Sequence, residues 1–132
     1  MSKSDLAAEK FNSGLSCSQA VLCAFADDFS IDENLARFIS CGFAGGMKRG
    51  ETCGALSGGI MALGLQAAQT EKSVQAHKEL CFGAVAQLMN DFEQKHGSVL
   101  CRELIKDKPD RKPFCTELVR NVVELVEKNT CN

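Results

Sequence analysis

The stretch Pro113-Phe-Cys-Thr-Glu-Leu-Val-Arg-Asn-Val-Val-Glu-Leu-Val126 decides the fold class. Cys115, Leu118, Val119, Val122 and Val126 recur at three- and four-residue spacing, the stripe of an amphipathic helix. Proline suits a first helical position, where a missing N–H costs nothing, so Pro113 is read as the start of this helix.

The same period extends backwards through the chain. Residues 72–96 place His77, Cys81, Ala84, Val85, Leu88 and Phe92 along one side, and Gly97 stops them. Ser98 then reads as the cap of a short helix carrying Cys101, Leu104 and Ile105, with the charged run 107–112 as a surface connection. Upstream, residues 51–69 form a long helix that starts Glu51-Thr-Cys-Gly54 and holds Gly54, Gly58, Gly59 and Gly64. Each interior glycine costs about 1 kcal/mol against alanine, which implies close approach of another backbone or a bound group. The four glycines between positions 42 and 50 make that stretch a loop. Further back, Asp32 starts a helix carrying Leu35, Ala36, Phe38 and Ile39, which Cys41-Gly42 closes. Ser16 caps one with Cys17, Ala20, Val21, Ala24 and Phe25 on a buried face, and residues 4–13 form the first helix. Together these predict an all-α chain, a compact bundle of six or seven helices in one domain over 1–132, without repeats or linkers.

A chain of 132 residues can bury one core unaided, so its eight cysteines are not needed as staples. No apolar run is long enough to span a membrane and no basic n-region precedes one, which predicts a cytoplasmic protein with reduced thiols. Fifteen basic against seventeen acidic residues leave no footprint for nucleic acid, and the absence of Trp and Tyr removes stacking platforms.

Cys17, Cys53, Cys101 and Cys115 each fall in the predicted first turn of a helix, where free N–H groups and the macrodipole favour a thiolate. Four buried hydrophobes would explain the same cysteines, but not their repeated placement. No C-x-x-C occurs, so any shared site must be assembled by the fold. The segment Gly54-Ala-Leu-Ser57-Gly58 is not a nucleophile elbow, and the 42–50 loop is neither a P-loop nor a dinucleotide fingerprint. Lys48-Arg49 is read as a solvated pair rather than an anion site. His77 and Cys81 have ligand-like spacing yet read as core packing, His96 suits a helix C-terminus, Cys23 lies mid-helix, and Cys131 lies in the C-terminal tail.

Cys17-Ser-Gln-Ala-Val-Leu22, Gly45-Gly-Met-Lys-Arg-Gly-Glu-Thr52, Cys53-Gly-Ala-Leu-Ser-Gly58 and Gly97-Ser-Val-Leu-Cys-Arg-Glu-Leu104, followed by Cys115, resemble the C_GCAxxG_C_C family of redox-active proteins. These are small bacterial and archaeal chains named for four cysteines and a CGAxxG segment. The resemblance implies a redox role without a substrate, and it extends to none of Cys23, Cys41, Cys81 and Cys131.

The leading expectation is reversible thiol–disulfide chemistry at Cys17, Cys53, Cys101 and Cys115, the work of a thiol–disulfide oxidoreductase with a redox partner that the sequence does not name. The alternatives are a metal or electron-transfer module holding an iron–sulfur cluster or zinc through the same four cysteines, and a structural or interaction domain. Homo-oligomerisation is left open. Three further expectations follow: the four cysteines converge beside the 42–50 loop, Cys53 is the most acidic and reactive, and Cys101–Cys115 and Cys17–Cys53 are the pairs.

Overall fold

The computed structural model describes residues 1–129, and Cys131 lies outside them. Those residues form seven α-helices and no strand: α1 Lys3–Asn12, α2 Cys17–Phe25, α3 Glu33–Ser40, α4 Gly54–Thr70, α5 Val74–His96, α6 Cys101–Leu104 and α7 Arg111–Lys128. The all-α class read from the apolar period is the one observed.

Helix α2 is apolar on nearly every side, so it takes the centre. Ala20 through Ala26 are all buried, and α2 packs against α1, α3 and α4. Ser16 starts it with a reciprocal capping box: its Oγ accepts from the Gln19 N–H, and Gln19 Oε1 accepts from the Ser16 N–H. The glycines of α4 allow the packing that follows. A Cβ at Gly58 would lie 2.6 Å from the Ser18 carbonyl oxygen, and one at Gly59 2.7 Å from Val122 Cγ1. α2 and α7 therefore press directly onto the α4 backbone, as the glycine content predicts. Gly64 is different, since its nearest neighbour, Cys81 Sγ, would be at an ordinary 3.9 Å. α7 closes the bundle against α1, where Arg120 pairs with Asp5 and Lys112 Nζ donates to the Phe11 carbonyl at 2.9 Å.

Several local expectations are corrected. α7 begins at Arg111, two residues before Pro113, so Cys115 falls in its second turn. α6 is a single turn starting at Cys101. Ser98 does not cap it: Ser98 Oγ accepts from the Leu100 N–H, and the N-cap residue Leu100 is extended and bridges Thr52. Cys53 stands at the N-cap of α4, one residue before the helix. The glycine-rich 42–50 stretch is more ordered than a loop. After a 3₁₀ turn at Cys41–Phe43, the backbone at Gly45, Gly46, Met47 and Lys48 is left-handed, in a wide turn closed by the Glu51 N–H donating to the Gly46 carbonyl at 3.1 Å. Two consecutive non-glycine residues with positive φ carry about 1–2 kcal/mol of strain each. Gly46 makes the turn possible, because a Cβ there would lie 2.3 Å from the Glu51 nitrogen.

α3 departs furthest from expectation. Its small residues Ala36 and Ser40 are buried, while Leu35, Phe38 and Ile39 are 51%, 64% and 53% exposed. Hydrogen bonds fix this orientation: Ser18 Oγ donates to the Ser40 carbonyl at 2.7 Å and Gln19 Nε2 to the Arg37 carbonyl at 3.0 Å.

Candidate functional site

One cavity of about 230 Å³ is lined by all four of the singled-out cysteines, Cys17, Cys53, Cys101 and Cys115. Its remaining wall is mainly apolar, with Phe11, Ala44, Leu104, Ile105 and Leu118, and Arg111 at the edge. Four separate elements deliver the sulfurs, each for a local reason.

Cys17 occupies the first position of α2, fixed there by the Ser16 capping box. Its sulfur lies against the Gly54 backbone: a Cβ on Gly54 would sit 2.5 Å from Cys17 Sγ and 3.0 Å from the Phe43 carbonyl oxygen. The Gly of the Cys53-Gly54 pair is thus what admits the Cys17 thiol. Cys53 and Cys101 are joined by an isolated antiparallel bridge between Thr52 and Leu100. The Cys53 N–H donates to the Val99 carbonyl at 2.8 Å and the Cys101 N–H to the Glu51 carbonyl at 2.7 Å. The bridge sets the residues that follow it, Cys53 and Cys101, at the wall of the same cavity. Gly50 lets the two segments meet, since a Cβ there would lie 2.8 Å from Arg102 Cβ. Cys115 reaches the cavity from the second turn of α7, one turn ahead of Leu118.

Cys53, Cys101 and Cys115 are shifted in the direction opposite to the one that helix starts led us to expect. Burial pushes Cys53 up from 9.0 to about 12, with the neighbouring Cys17 and Cys101 adding to it; the Leu56 and Ala55 amides act the other way without closing a capping hydrogen bond. Cys101 is raised by burial and by Cys17, against the opposing charges of Arg111 and Lys48. Cys115 is raised by burial, Cys17 and Cys101, against Arg111 and Lys112. Desolvation wins because a thiolate gains little from one helical turn, or from a position past the first, while an apolar wall removes most of its hydration. The expectation that Cys53 is the most reactive is therefore overturned: it is 5% exposed and its thiol is held neutral.

Among the described residues all seven cysteines are free thiols, and no group of three or more His, Cys, Asp or Glu stands close enough to hold a metal ion. A tetrahedral zinc site brings its sulfurs within about 3.8 Å of one another, given Zn–S bonds of about 2.3 Å. The arrangement observed does not fit one.

The other singled-out residues lie elsewhere. His77 Nε2 meets the Gly64 carbonyl at 2.8 Å, and Cys81 rests against α4. His96 Nε2 meets Asn121 Oδ1 at 2.7 Å and its ring packs on Phe92. Cys23 is buried in α2 and Cys41 is exposed. Sequence reading missed Arg111, which stood inside a run taken for surface connection. It also missed the direction of Lys48, whose side chain the left-handed turn folds back over cavity-lining Gly45.

The model of the C_GCAxxG_C_C family, described as "Putative redox-active protein (C_GCAxxG_C_C)", matches residues 15–129. The chain belongs to this family. No curated protein and no solved structure matches it.

Proposed function

We propose that this chain is a redox protein whose centre is the four-cysteine cavity, working by reversible dithiol–disulfide interconversion. The observation that carries the reading is that four thiols from four elements line one cavity, with the Cys17 sulfur close enough to influence each of the other three. Two cysteine thiols lose two protons and two electrons as their S–S bond forms. A partner disulfide takes up both electrons and leaves as two thiols, by way of a mixed disulfide that the second cysteine resolves. Burial keeps Cys53, Cys101 and Cys115 as neutral thiols, so the reduced form lacks the thiolate stabilisation that makes a dithiol couple strongly oxidising, and the couple lies towards the reducing end.

Four cysteines allow three complete pairings. Cys115 is influenced by Cys17 and Cys101, and Cys53 by Cys17 and Cys101. The influence of Cys17 on Cys53 and of Cys101 on Cys115 supports Cys17–Cys53 with Cys101–Cys115.

A second reading rests on the cavity itself. An iron–sulfur cluster is held by four cysteine thiolates and spreads them more widely than a single ion does, and apolar walls with nearby amides suit such a group. Bound there, it would supply one-electron transfer, with Cys17, Cys53, Cys101 and Cys115 as its ligands.

Anaerobic purification followed by thiol counting, metal analysis and acid-trapped peptide mapping separates the two. A colourless, metal-free protein that loses thiols in pairs on oxidation, with linkages confined to the four, is the expected outcome. Visible absorbance with stoichiometric iron and sulfide would replace it by the cluster reading. Neither paired thiols nor metal would end both.

A further inference from the structure

Apart from its thiols, the wall of the four-cysteine cavity carries a single charged residue, Arg111. Arg111 opens α7 and has no carboxylate partner among the described residues. A second cation comes from the left-handed turn. Lys48 Nζ lies 3.9 Å from where a Cβ on cavity-lining Gly45 would stand, and it too has no carboxylate partner among the described residues. Lys112 is nearby but occupied, since its Nζ donates to the Phe11 carbonyl and sits 3.8 Å over the Phe11 ring.

The charge around the thiols has one sign. Besides neighbouring thiols, the side chains that act on Cys101 are Arg111 and Lys48, and those that act on Cys115 are Arg111 and Lys112. The first turn of α7 holds no acidic residue, although the macrodipole favours one there, and Asp110 at its N-cap makes no capping hydrogen bond. Of the other carboxylates in these segments, Glu51 meets Arg49, Glu103 accepts from Ser98 Oγ, and Asp107 is exposed. None of them lines the cavity or acts on Cys101 or Cys115.

From this we infer that the substrate of the cavity is a small disulfide with a carboxylate close to each sulfur, its S–S bond among the four thiols and its anionic ends on Arg111 and Lys48. The inference rests on the redox reading of the cavity and names the substrate class it serves. Size favours a small molecule over a protein disulfide. At about 30 Å³ for a water-sized group, the cavity of about 230 Å³ holds an S–S bond with its flanking carbons, and it has no room for the backbone that a protein cystine brings on both sides. One cavity thiol, as its thiolate, attacks a substrate sulfur and releases the first carboxylate-bearing thiol. A second cavity thiol then resolves the mixed disulfide and releases the other. Two protein S–H bonds and one substrate S–S bond break, one protein S–S bond and two substrate S–H bonds form, and both electrons pass to the substrate.

The test follows oxidation of the reduced full chain by three disulfides of similar length: dithiodiglycolate, which is anionic, hydroxyethyl disulfide, which is neutral, and cystamine, which is cationic. Thiols are counted after acid quenching. Removing cations also lowers the thiolate fraction for every disulfide alike, so the quantity read is each rate constant divided by that for hydroxyethyl disulfide. In Arg111→Gln/Lys48→Gln the dithiodiglycolate ratio should fall about fivefold or more and the cystamine ratio should rise, with the circular dichroism spectrum unchanged. Arg111→Lys/Lys48→Arg should restore the dithiodiglycolate ratio to within about twofold, and added salt should lower it in the unsubstituted chain. Ratios indifferent to the substitutions or to salt would overturn the inference, as they would for a cavity serving an uncharged or a protein disulfide. Failure of the redox reading shows separately, as a reduced chain from which none of the three disulfides, the neutral one included, removes thiols in pairs.

Discussion

A methyl group at position 54 would sit 2.5 Å from the Cys17 sulfur, which would have to turn away, and 3.0 Å from the Phe43 backbone oxygen, which cannot swing clear. Gly54→Ala is accordingly expected to cost about 1–3 kcal/mol in urea unfolding and to displace Cys17, so that peptide mapping of the oxidised variant no longer finds Cys17 in a reproducible pair. The acidity of Cys53 gives a second prediction at this scale. Its thiol is neutral in the fold up to about 12, while the unfolded chain releases the proton near 9.0. Above 9.0 the unfolded state binds fewer protons than the native one, so the stabilisation is complete below that pH and is lost as pH rises towards about 12, by up to about 1.4 kcal/mol per unit. Denaturant midpoints between pH 8 and 11 should fall, and less so in Cys53→Ala after its lower baseline is subtracted. Alkylation at pH 8 should label exposed Cys41 well before Cys53. The positions of the four sulfurs were partly legible in the sequence, through Ser16 before Cys17 and the glycine after Cys53. Their acidity was not, because desolvation depends on what Phe11, Leu104 and Leu118 cover after folding.

At the scale of helices, the glycines of α4 and α5 divide by what faces them. Gly58 and Gly59 touch the α2 backbone and Val122, so Ala at either should destabilise by about 1–3 kcal/mol. Gly64 and Gly83 face an ordinary contact and open space, so Gly64→Ala and Gly83→Ala should each stabilise by about 0.5–1 kcal/mol in the same urea assay. The sequence showed that glycines in a helix need a reason but not which of them had one, since the reason lies on the partner helix. Helix boundaries were legible where side-chain caps mark them, as at Ser16 and Asp32. They were misread at Pro113, which is tolerated anywhere in the first turn, where N–H groups are unpaired in any case. The outward face of α3 was illegible for a related reason: its apolar spacing is that of a core helix, and only the Ser18 and Gln19 bonds from α2 turn it round.

Across the molecule, packing is uneven. Within α5 only Leu88 and Phe92 are fully buried, both in its second half, while Val74 and Phe82 in the first half are 78% and 65% exposed. Amide hydrogen exchange should find residues 74–84 opening well before α2 and the first half of α4, and equal protection of the two regions would contradict this. The bridge between 51–53 and 99–101 bears on the order in which the chain folds. All of α4 and α5 lies between its two segments, so closing it early would fix a long loop for only two hydrogen bonds. The α4–α5 hairpin, built from contacts near in sequence, is expected to form first and to carry residue 99 back to residue 53. Until it does, Cys53 and Cys101 are strangers in the nascent chain, and the fold itself delays the meeting of its sulfurs until the surrounding wall is there to choose which of them bond.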